Sequence, residues 1–395
     1  MGLDVADVQE QLRADGLDGW LLYDFHGSNP IAADLVGLTP GAHMTTRRWY
    51  YLIPDSGEPT ALVHAIERDS LESLPGNRLI YSTHVSLASG LDQLLAGRRR
   101  LAMEYSPDCA IPYLSRVDGG TLDLVRRRDV EVVSSGDLVQ RFAAGWSEAM
   151  LASHDEAARR LYDIKDRAFA DIRQRLRRGE PTTEYDIQQV MVAWFERAEL
   201  ESDSAPVVAA GENGGSPHYL PRADRTRAIG RNDVIVLDLW GKLRGADAVY
   251  ADITWVAFTG GVVPSAAAEA FTAVAAARDT AISLLQEAAR TGADLRGWQV
   301  DRAARSVLEA RGFGDRVMHR TGHSLGRLVH GNGVHLDDYE THDTRRLLPG
   351  TCVTVEPGLY FETFGVRTEV NVFFGARAAH VTGPIQESIV TLATD

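Results

Sequence analysis

Hydrophobic and polar positions alternate differently in the two parts of the chain. In the first part, short hydrophobic runs predict β-strands at residues 20–23, 50–53, 60–63 and 100–103. Residues 5–13 have the spacing of an amphipathic helix. A long helical pattern follows at residues 148–178, and Gly179 and Pro181 mark its end. We therefore expect an α/β domain at residues 1–145, joined to a second domain by a long helix.

The second domain, residues 146–395, is predicted to mix helices with buried strands. Helical spacing recurs at about residues 184–199, 265–289 and 298–310. Hydrophobic runs predict buried strands at residues 234–240, 352–357 and 366–374. Residues 241–245 carry a glycine-rich turn signal, so the strands on either side are expected to pair as an antiparallel hairpin. The expected fold class is α+β.

Composition narrows the classes of protein that fit this pattern. The net charge of −14 argues against nucleic acid as a partner, because phosphate binding requires a basic surface. No apolar stretch approaches the roughly 20 residues that a membrane span needs, and the acidic first residues do not resemble a signal peptide. Only two cysteines occur, so a disulfide framework is not expected. We expect a cytoplasmic protein that binds neither nucleic acid nor membranes.

Carboxylates interrupt the segments that otherwise look buried. They are Asp238, Asp252, Glu356 and Glu369. An ionised carboxylate buried without a partner costs several kcal/mol, so each needs a cation, and Arg367 is the clearest one nearby. Together with His323, these side chains suit two divalent metal ions. Unrelated core salt bridges would explain any one carboxylate equally well, but they do not explain the whole set.

The spacing of these residues also predicts that they converge. A symmetric pairing about Gly245 would place Asp238 directly opposite Asp252, with Cβ atoms about 4.5 to 5.5 Å apart. Arg367 and Glu369 are two residues apart on one predicted strand and so share a face. We expect the guanidinium of Arg367 to orient the carboxylates from outside the set of metal ligands.

The ordered set Asp, Asp, His, Glu, Glu resembles that of the pita-bread metallopeptidases, which include methionine aminopeptidase, aminopeptidase P, prolidase and the metal-free creatinase. The motifs at residues 321–326 and 354–360 carry this resemblance. The segment 211–214 followed by His218, and a second histidine at His330, resemble the Xaa-Pro branch. The resemblance implies a carboxyl-terminal pita-bread (creatinase/aminopeptidase-like) catalytic domain behind an amino-terminal α/β creatinase-type domain, to which residues 1–145 are similar only in pattern.

The resemblance also implies roles for the site residues. Asp252 and Glu369 would bridge two metal ions, Asp238 would complete one, and His323 with Glu356 would complete the other. Glu356 would also pass a proton from a metal-bound water to the leaving nitrogen. His218 and His330 would donate to the substrate and stabilise the developing oxyanion, and Arg367 would support catalysis. Four carboxylates and one imidazole favour Mn²⁺, with Co²⁺ or Zn²⁺ as alternatives.

The chain departs from the family in two places that bear on the substrate. Three extra residues lengthen the hairpin turn, and Val249 stands where the family commonly has a tyrosine, with Tyr250 one place later. A shift of one position turns a strand side chain to the other face, so that hydroxyl is expected to be missing from the site unless a bulge restores it. An insertion at residues 331–335 is expected to reshape the wall where proline sits.

Three functions remain open at this point. A prolidase-like dipeptidase that cleaves Xaa-Pro bonds is favoured, with aminopeptidase P as the alternative. A third possibility, an inactive binding module, predicts eroded ligands, whereas all five are present. A dipeptidase must also bind the proline carboxylate, for which an arginine is the natural partner. The candidates are Arg47, Arg48, Arg345 and Arg346. The expected partners are a small peptide with proline at its second position and a second copy of the chain.

The remaining polar residues near the motifs are expected to play supporting roles. His319, His335 and His342 are assigned to structure around the site. Residues 337–340 form an acidic loop, which we expect to be solvated beside the cleft; a further cation site is the alternative.

Overall fold

The computed structural model describes residues 3–38 and 45–393, which separate into two units, Met1–Ala143 and Ala144–Asp395. The division falls between Ala143 and Ala144, just before the helix that begins at Glu148. Among the described residues, no helix combines the length and hydrophobicity that a membrane crossing requires.

The amino-terminal unit is built on one mixed six-stranded sheet. Its strands are β1 (Gly19–Asp24), β2 (Trp49–Pro54), β3 (Thr60–His64), β4 (Asn77–Tyr81), β5 (Arg100–Met103) and β6 (Glu131–Ser134), in the order β4-β3-β2-β1-β5-β6. Its helices are α1 (Val5–Ala14), α2 (Pro30–Leu35), α3 (His84–Leu94), α4 (Gly119–Arg126) and α5 (Gly136–Ala143). The predicted helix and four predicted strands are confirmed. The edge strands β4 and β6 were missed because most of their side chains are not buried, so they lack a hydrophobic run.

The carboxyl-terminal unit contains four long helices. They are α6 (Glu148–Arg178), α7 (Glu184–Arg197), α8 (Ser265–Thr291) and α9 (Gly297–Ala310). The predicted boundaries agree closely because the caps are readable in the sequence. Ser147 accepts a hydrogen bond from the third residue of α6, and Gly179 ends that helix in the left-handed conformation, at φ 68°.

Two sheets and a short hairpin complete this unit. The strands are β7 (Leu200–Glu201), β8 (Val207–Ala210), β9 (Val234–Leu243), β10 (Ala251–Phe258), β11 (Ser324–Leu325), β12 (Thr351–Val355), β13 (Gly358–Tyr360), β14 (Gly365–Arg367), β15 (Val370–Phe374), β16 (Ala379–Val381) and β17 (Val390–Thr391). One sheet runs β17-β10-β9-β7 with β8 also on β9, the other runs β11-β12-β15-β16, and β13 pairs with β14. The predicted α+β class is confirmed.

The faces of β9 determine where its carboxylate points. Ile235, Leu237 and Leu239 pack in a core with helices α6 and α7. Val234 and Val236 face the opposite way, into a core shared with α8, α9 and the second sheet. Because side chains alternate along a strand, Asp238 shares the face of the two valines and points toward the second sheet.

The register of the β9–β10 hairpin differs from the prediction. Asp238 pairs with Thr254, and Asp252 pairs with Trp240, so the expected direct opposition of the two aspartates is wrong. The loop is not symmetric, because the end of β9 pairs instead with β7 and the Tyr250 N–H donates to the Gly326 carbonyl. The offset is two residues, so both carboxylates still lie on one face.

The strand predicted at residues 366–374 is interrupted. Strand β14 ends at Arg367 and β15 begins at Val370, so Glu369 lies in the break between them. The expectation that Arg367 and Glu369 sit on one continuous strand is therefore wrong.

Candidate metal centre

Three buried side chains from separate segments of the carboxyl-terminal unit converge on one point. Ligand atoms of Asp252, His323 and Glu369 all lie within 4.8 Å of one another. The Nε2 atom of His323 is 3.6 Å from Asp252 Oδ2 and 3.5 Å from Glu356 Oε1. The structure thus brings together four of the five predicted metal ligands.

The backbone around His323 orients its ring toward the carboxylates. The His323 N–H donates to Thr354 Oγ1 at 2.9 Å, which ties the residue to β12. Its Nδ1 lies 3.1 Å from the Ser324 carbonyl, which can only accept a hydrogen bond. Nδ1 therefore carries the proton of the neutral ring, and Nε2 presents its lone pair to Asp252 and Glu356. A lone pair facing two carboxylates is a metal-ligating arrangement.

The electrostatics of the cluster favour the binding of a cation. Asp252 Oδ1 and Glu369 Oε1 are buried and have no hydrogen-bond partner among the described residues. Burial raises the pKa of Asp252 and Glu369, and repulsion from neighbouring carboxylates raises both further. A divalent cation would satisfy the two oxygens and keep both groups ionised. The oxygen-rich set with one imidazole suits such an ion.

Asp238 is held by an arginine next to this trio. Arg367 Nη2 donates to Asp238 Oδ2, and Arg367 Nε donates to Thr254 Oγ1 at 3.1 Å. The Thr254 hydroxyl donates to Glu369 Oε2 at 2.7 Å. Burial raises the pKa of Asp238, and the charge of Arg367 opposes that rise. Arg367 therefore supports two carboxylates, one directly and one through Thr254.

Thr254 was not singled out in the sequence, although a signal for it exists. It lies two residues after Asp252 on β10, so its side chain shares the face of that carboxylate.

A chain of hydrogen bonds continues from Arg367 to His319. Arg367 Nη1 donates to the Tyr360 hydroxyl at 2.9 Å, and that hydroxyl lies 2.6 Å from His319 Nε2. His319 Nδ1 faces the Arg320 carbonyl at 2.7 Å and so carries the proton, which leaves Nε2 to accept from Tyr360. Burial lowers the pKa of His319 to about 4, which keeps the ring neutral. His319 has the supporting position expected of it.

The other two supporting histidines differ in position. His335 is fully buried, and its Nδ1 accepts from the Ser324 N–H at 3.1 Å, beside His323. His342 is exposed and its Nδ1 lies 2.6 Å from Asp338 Oδ1, in the acidic loop.

The two histidines predicted to face the substrate lie on loops. The ring of His330 packs edge-on against His323, with ring centroids 4.4 Å apart. His218 is exposed and follows a 3₁₀ turn, Gly211–Gly215. The charge of His218 contributes to lowering the pKa of His330, after loss of solvent around the ring and the charges of His323 and Arg320, so the two histidines are near one another.

One of the four arginines proposed for the proline carboxylate is buried. Arg345 is 4% exposed, and its Nε and Nη2 donate to Asp343 Oδ1 at 2.9 Å and Oδ2 at 2.6 Å. Its Nη1 donates to the Asn332 carbonyl at 3.0 Å. The guanidinium is buried and all three of its nitrogens bond within the protein, so Arg345 is a poor candidate for the substrate carboxylate. Arg346 lies in the same unit, and Arg47 and Arg48 belong to the amino-terminal unit.

Tyr250 does not replace the expected tyrosine of the site. Its ring packs in a small cluster with Leu325, Val329 and Cys352. Burial raises the pKa of Tyr250 to about 12, and the acidic groups that add to the rise are Asp203 and Glu201, not the site carboxylates.

The acidic loop is only partly solvated, because Tyr339 and Glu340 are exposed whereas Asp337 is buried. Asp337 is fully buried and accepts from the N–H groups of Tyr339 and Glu340, each at 2.9 Å. Asp338 is paired with Arg302 and Arg305 at 2.6 and 3.2 Å. These bonds fix the carboxylates of Asp337 and Asp338 within the unit, while the second half of the loop faces solvent.

Comparisons with known proteins agree with this geometry. The metallopeptidase family M24 matches residues 156–376, more than half of the chain. A probable dipeptidase PepE of Mycobacterium tuberculosis is 29% identical over 218 residues, 54% of this chain and 52% of that protein. An Xaa-Pro dipeptidase of Lactobacillus helveticus is 29% identical over 171 residues, 41% of this chain and 40% of that protein. The chain thus spans about half the length of these curated relatives.

A solved structure covers nearly the whole chain. The dipeptidase PepE of Mycobacterium ulcerans superposes with a TM-score of 0.73 at 20% identity, covering 99% of this chain and 97% of that one. At this identity the likeness concerns the fold, and it confirms the predicted pita-bread architecture. With the match over residues 156–376, the chain belongs to metallopeptidase family M24.

Proposed function

We propose that this protein is a metal-dependent peptidase that hydrolyses the bond between an amino-terminal residue and proline, acting on dipeptides. The observation that carries the proposal is the buried cluster of Asp252, His323 and Glu369 in a chain of a metallopeptidase family. One oxygen of each carboxylate has no hydrogen-bond partner in the part of the chain that the structure describes. The Xaa-Pro preference is supported by the resemblance of the motifs and by a relative that is named an Xaa-Pro dipeptidase.

The residues that would hold two divalent ions, Mn²⁺ by preference, are Asp238, Asp252, His323, Glu356 and Glu369. When bound, the ions lower the pKa of a water molecule and polarise the scissile carbonyl. Arg367 and Thr254 fix the carboxylates of Asp238 and Glu369 through the hydrogen bonds described above, so the ligand set is preorganised.

Glu356 is the proposed proton carrier. The nitrogen of a proline amide has no N–H and must be protonated as the bond breaks. Glu356 lies just beyond β12, is only partly buried, and has Oε1 beside His323 at 3.5 Å. Its carboxylate can therefore accept a proton at the nucleophile and deliver it to the leaving nitrogen.

His218 and His330 are the proposed donors to the substrate. Both side chains are exposed, and the ring of His330 packs against that of the proposed ligand His323. Each can therefore donate to a carbonyl oxygen on which negative charge develops.

Aminopeptidase P activity is the second candidate, and one observation favours it. Arg345 is committed to Asp343, so the binding of a proline carboxylate now depends on Arg346, Arg47 or Arg48. If none of them binds that carboxylate, longer peptides are accepted as well.

The setting we propose is a cytoplasmic homodimer. The described cysteines are both free, Cys109 exposed and Cys352 buried, which suits a reducing compartment.

A substrate panel tests the function. The Mn²⁺-loaded protein is incubated with Gly-Pro, Gly-Pro-Gly and Met-Gly-Gly, and the products are separated. The proposal expects cleavage of Gly-Pro only. Equal cleavage of Gly-Pro-Gly supports aminopeptidase P, and cleavage of Met-Gly-Gly alone contradicts an Xaa-Pro preference.

A further inference from the structure

The segment that carries His330 folds back onto the strand next to His323. The Gly331 N–H donates to the Ser324 carbonyl at 2.7 Å, and the Gly333 N–H donates to Ser324 Oγ at 3.1 Å. A Cβ atom on Gly333 would lie 2.5 Å from Ser324 Oγ, so a larger residue would force the two segments apart. The path of the chain after His330 is therefore set by close backbone contact with β11.

The buried ion pair of Arg345 and Asp343 holds this segment in place. Arg345 Nη1 donates to the Asn332 carbonyl at 3.0 Å, while the rest of its guanidinium binds Asp343. Asp343 Oδ2 also accepts from the His335 N–H at 2.9 Å. Both members of the pair are buried, Asp343 at 0% and Arg345 at 4% exposure. The pair thus contacts the loop at two backbone positions on either side of Gly333.

The other end of the segment is attached to the end of β9 and to the β9–β10 loop. The Tyr250 N–H donates to the Gly326 carbonyl at 2.9 Å, and Lys242 Nζ donates to the Arg327 carbonyl at 3.1 Å. His330 lies between the two attachments, with its side chain exposed and its ring against that of His323. Its position is therefore determined by how firmly the backbone on each side is held.

We propose that Arg345, with Asp343, is a positioning residue that holds His330 in its place beside His323. This proposal rests on the proposed function, in which His330 contacts the substrate. Arg345 bonds to Asp343 and Asn332 rather than to a proposed metal ligand, so it acts on His330 through the loop backbone. Loosening the loop displaces a catalytic donor, and small displacements reduce rates strongly.

Kinetics of a double-mutant cycle test this coupling. Arg345→Met should lower kcat about tenfold, with the metal content unchanged and KM changed less than about threefold. In a His330→Ala background the same change should cost less than about twofold, because the group that it positions is already gone. An equal cost in both backgrounds would overturn the proposal.

Two further variants test the same role of Arg345 if Arg345→Met folds poorly. Arg345→Lys retains the charge beside Asp343, so the fold should persist while the bond to Asn332 is weakened. The pair Asp343→Asn with Arg345→Met avoids an unpaired buried carboxylate. Both should reduce kcat in the same manner, and wild-type kcat in either would contradict the role.

Arg160→Met is a matched control. Arg160 also donates to one carboxylate, Glu156, and to one backbone carbonyl, that of Ala198. It lies on α6, which packs on the face of β9 opposite to Asp238. Its replacement should leave kcat within about twofold of the wild-type value, and a decrease equal to that of Arg345→Met would indicate a general structural effect.

Hydrogen exchange separates this proposal from the proposed function. In Arg345→Met, backbone amides of residues 331–335 should exchange at least about tenfold faster, while those of β9 and β10 keep their wild-type rates. This readout needs no substrate. If the wild type cleaves no Xaa-Pro peptide but residues 331–335 exchange faster in Arg345→Met, the proposed function fails while the role of Arg345 in holding the loop is supported. Unchanged exchange in residues 331–335 would show that Arg345 does not hold the loop.

Discussion

The two aspartates of the candidate metal centre and the two histidines proposed to contact the substrate are held by different means. Asp238 and Asp252 lie on paired strands, where the register and the cores on both sheet faces fix their positions. His218 and His330 lie on loops, where no regular pairing is available. The loops are instead held in place by buried polar side chains that bond to the loop backbone.

Glu184 holds the loop of His218 in place, as Asp343 and Arg345 hold the loop of His330. It is fully buried at the start of α7 and accepts from the Ala210 N–H at 2.7 Å and the Tyr219 hydroxyl at 2.5 Å. The amide of Asn213 donates to both of its oxygens at 3.0 Å. The loop from Ala210 to Tyr219 therefore wraps around one carboxylate, and His218 follows its path.

The largest effect is expected when a strand-borne carboxylate is removed. Asp252→Ala should lose bound metal and reduce kcat/KM by more than about 1000-fold, because metal-ion catalysis contributes several kcal/mol. Elemental analysis and steady-state kinetics measure the two quantities. Asp163→Ala, on the exposed face of α6, is the control and should retain both. A metal-replete, active Asp252→Ala would contradict the ligand assignment.

Removal of a loop-borne histidine is expected to leave the metal in place. His330→Ala and His218→Ala should each keep wild-type metal content but lower kcat by roughly 100- to 1000-fold, the usual effect of losing one oxyanion donor. The same two measurements apply. A folded variant without metal would instead mean that a ligand has been taken for a substrate contact.

Loosening the loop of His218 should have a smaller effect. Glu184→Gln keeps one acceptor oxygen but turns an N–H₂ group toward donors, so buried hydrogen bonds are lost at a cost of about 2 to 3 kcal/mol. The melting temperature should fall, and kcat should fall about tenfold with metal retained. Glu196→Gln, on the exposed side of α7, is the control. If kcat is unchanged in a measurably destabilised Glu184→Gln, the loop does not depend on this carboxylate.

The buried side chain of His154 is expected to make the stability of the protein depend on pH. His154 bonds the Tyr250 carbonyl at 2.8 Å and Thr382 Oγ1 at 2.6 Å, and burial lowers its pKa to about 4. Its pKa in the unfolded chain is about 6.5, so the unfolded state binds more protons between pH 6.5 and pH 4. Stability should therefore be unaffected by His154 above pH 6.5 and decline as the pH falls toward 4, by about 3 kcal/mol at most.

Urea denaturation at several pH values measures that slope. His154→Gln should reduce the pH dependence between pH 6.5 and pH 4 by up to one proton. An identical slope in the variant would show that His154 does not titrate on unfolding.

The sequence predicts the two regions unequally well, for physical reasons. Each ligand carboxylate stands out because it interrupts a hydrophobic run, which is a local signal. The opposition of Asp238 and Asp252 was predicted wrongly because the register depends on distant contacts, such as that of Tyr250 with Gly326. The helices were predicted closely because their caps are local.

The side chains that fix the loops were harder to read from the sequence. Arg345 is one of four candidates for the substrate carboxylate in the sequence, because an exposed and a buried arginine look alike there. Its partner Asp343 is only two residues away, but the bond to Asn332 requires the folded loop. Glu184 and Thr254 were missed because single polar residues at a helix start or within a strand have ordinary explanations.

The most direct test of the account is the rate of Gly-Pro hydrolysis as Mn²⁺ is added to the chelated protein. The account predicts no activity without metal and a rise that reaches its plateau at about two ions per chain, because the five ligands are proposed to hold a dinuclear centre. Elemental analysis of the same samples gives the stoichiometry. Full hydrolysis of Gly-Pro after exhaustive removal of metal would contradict the central claim.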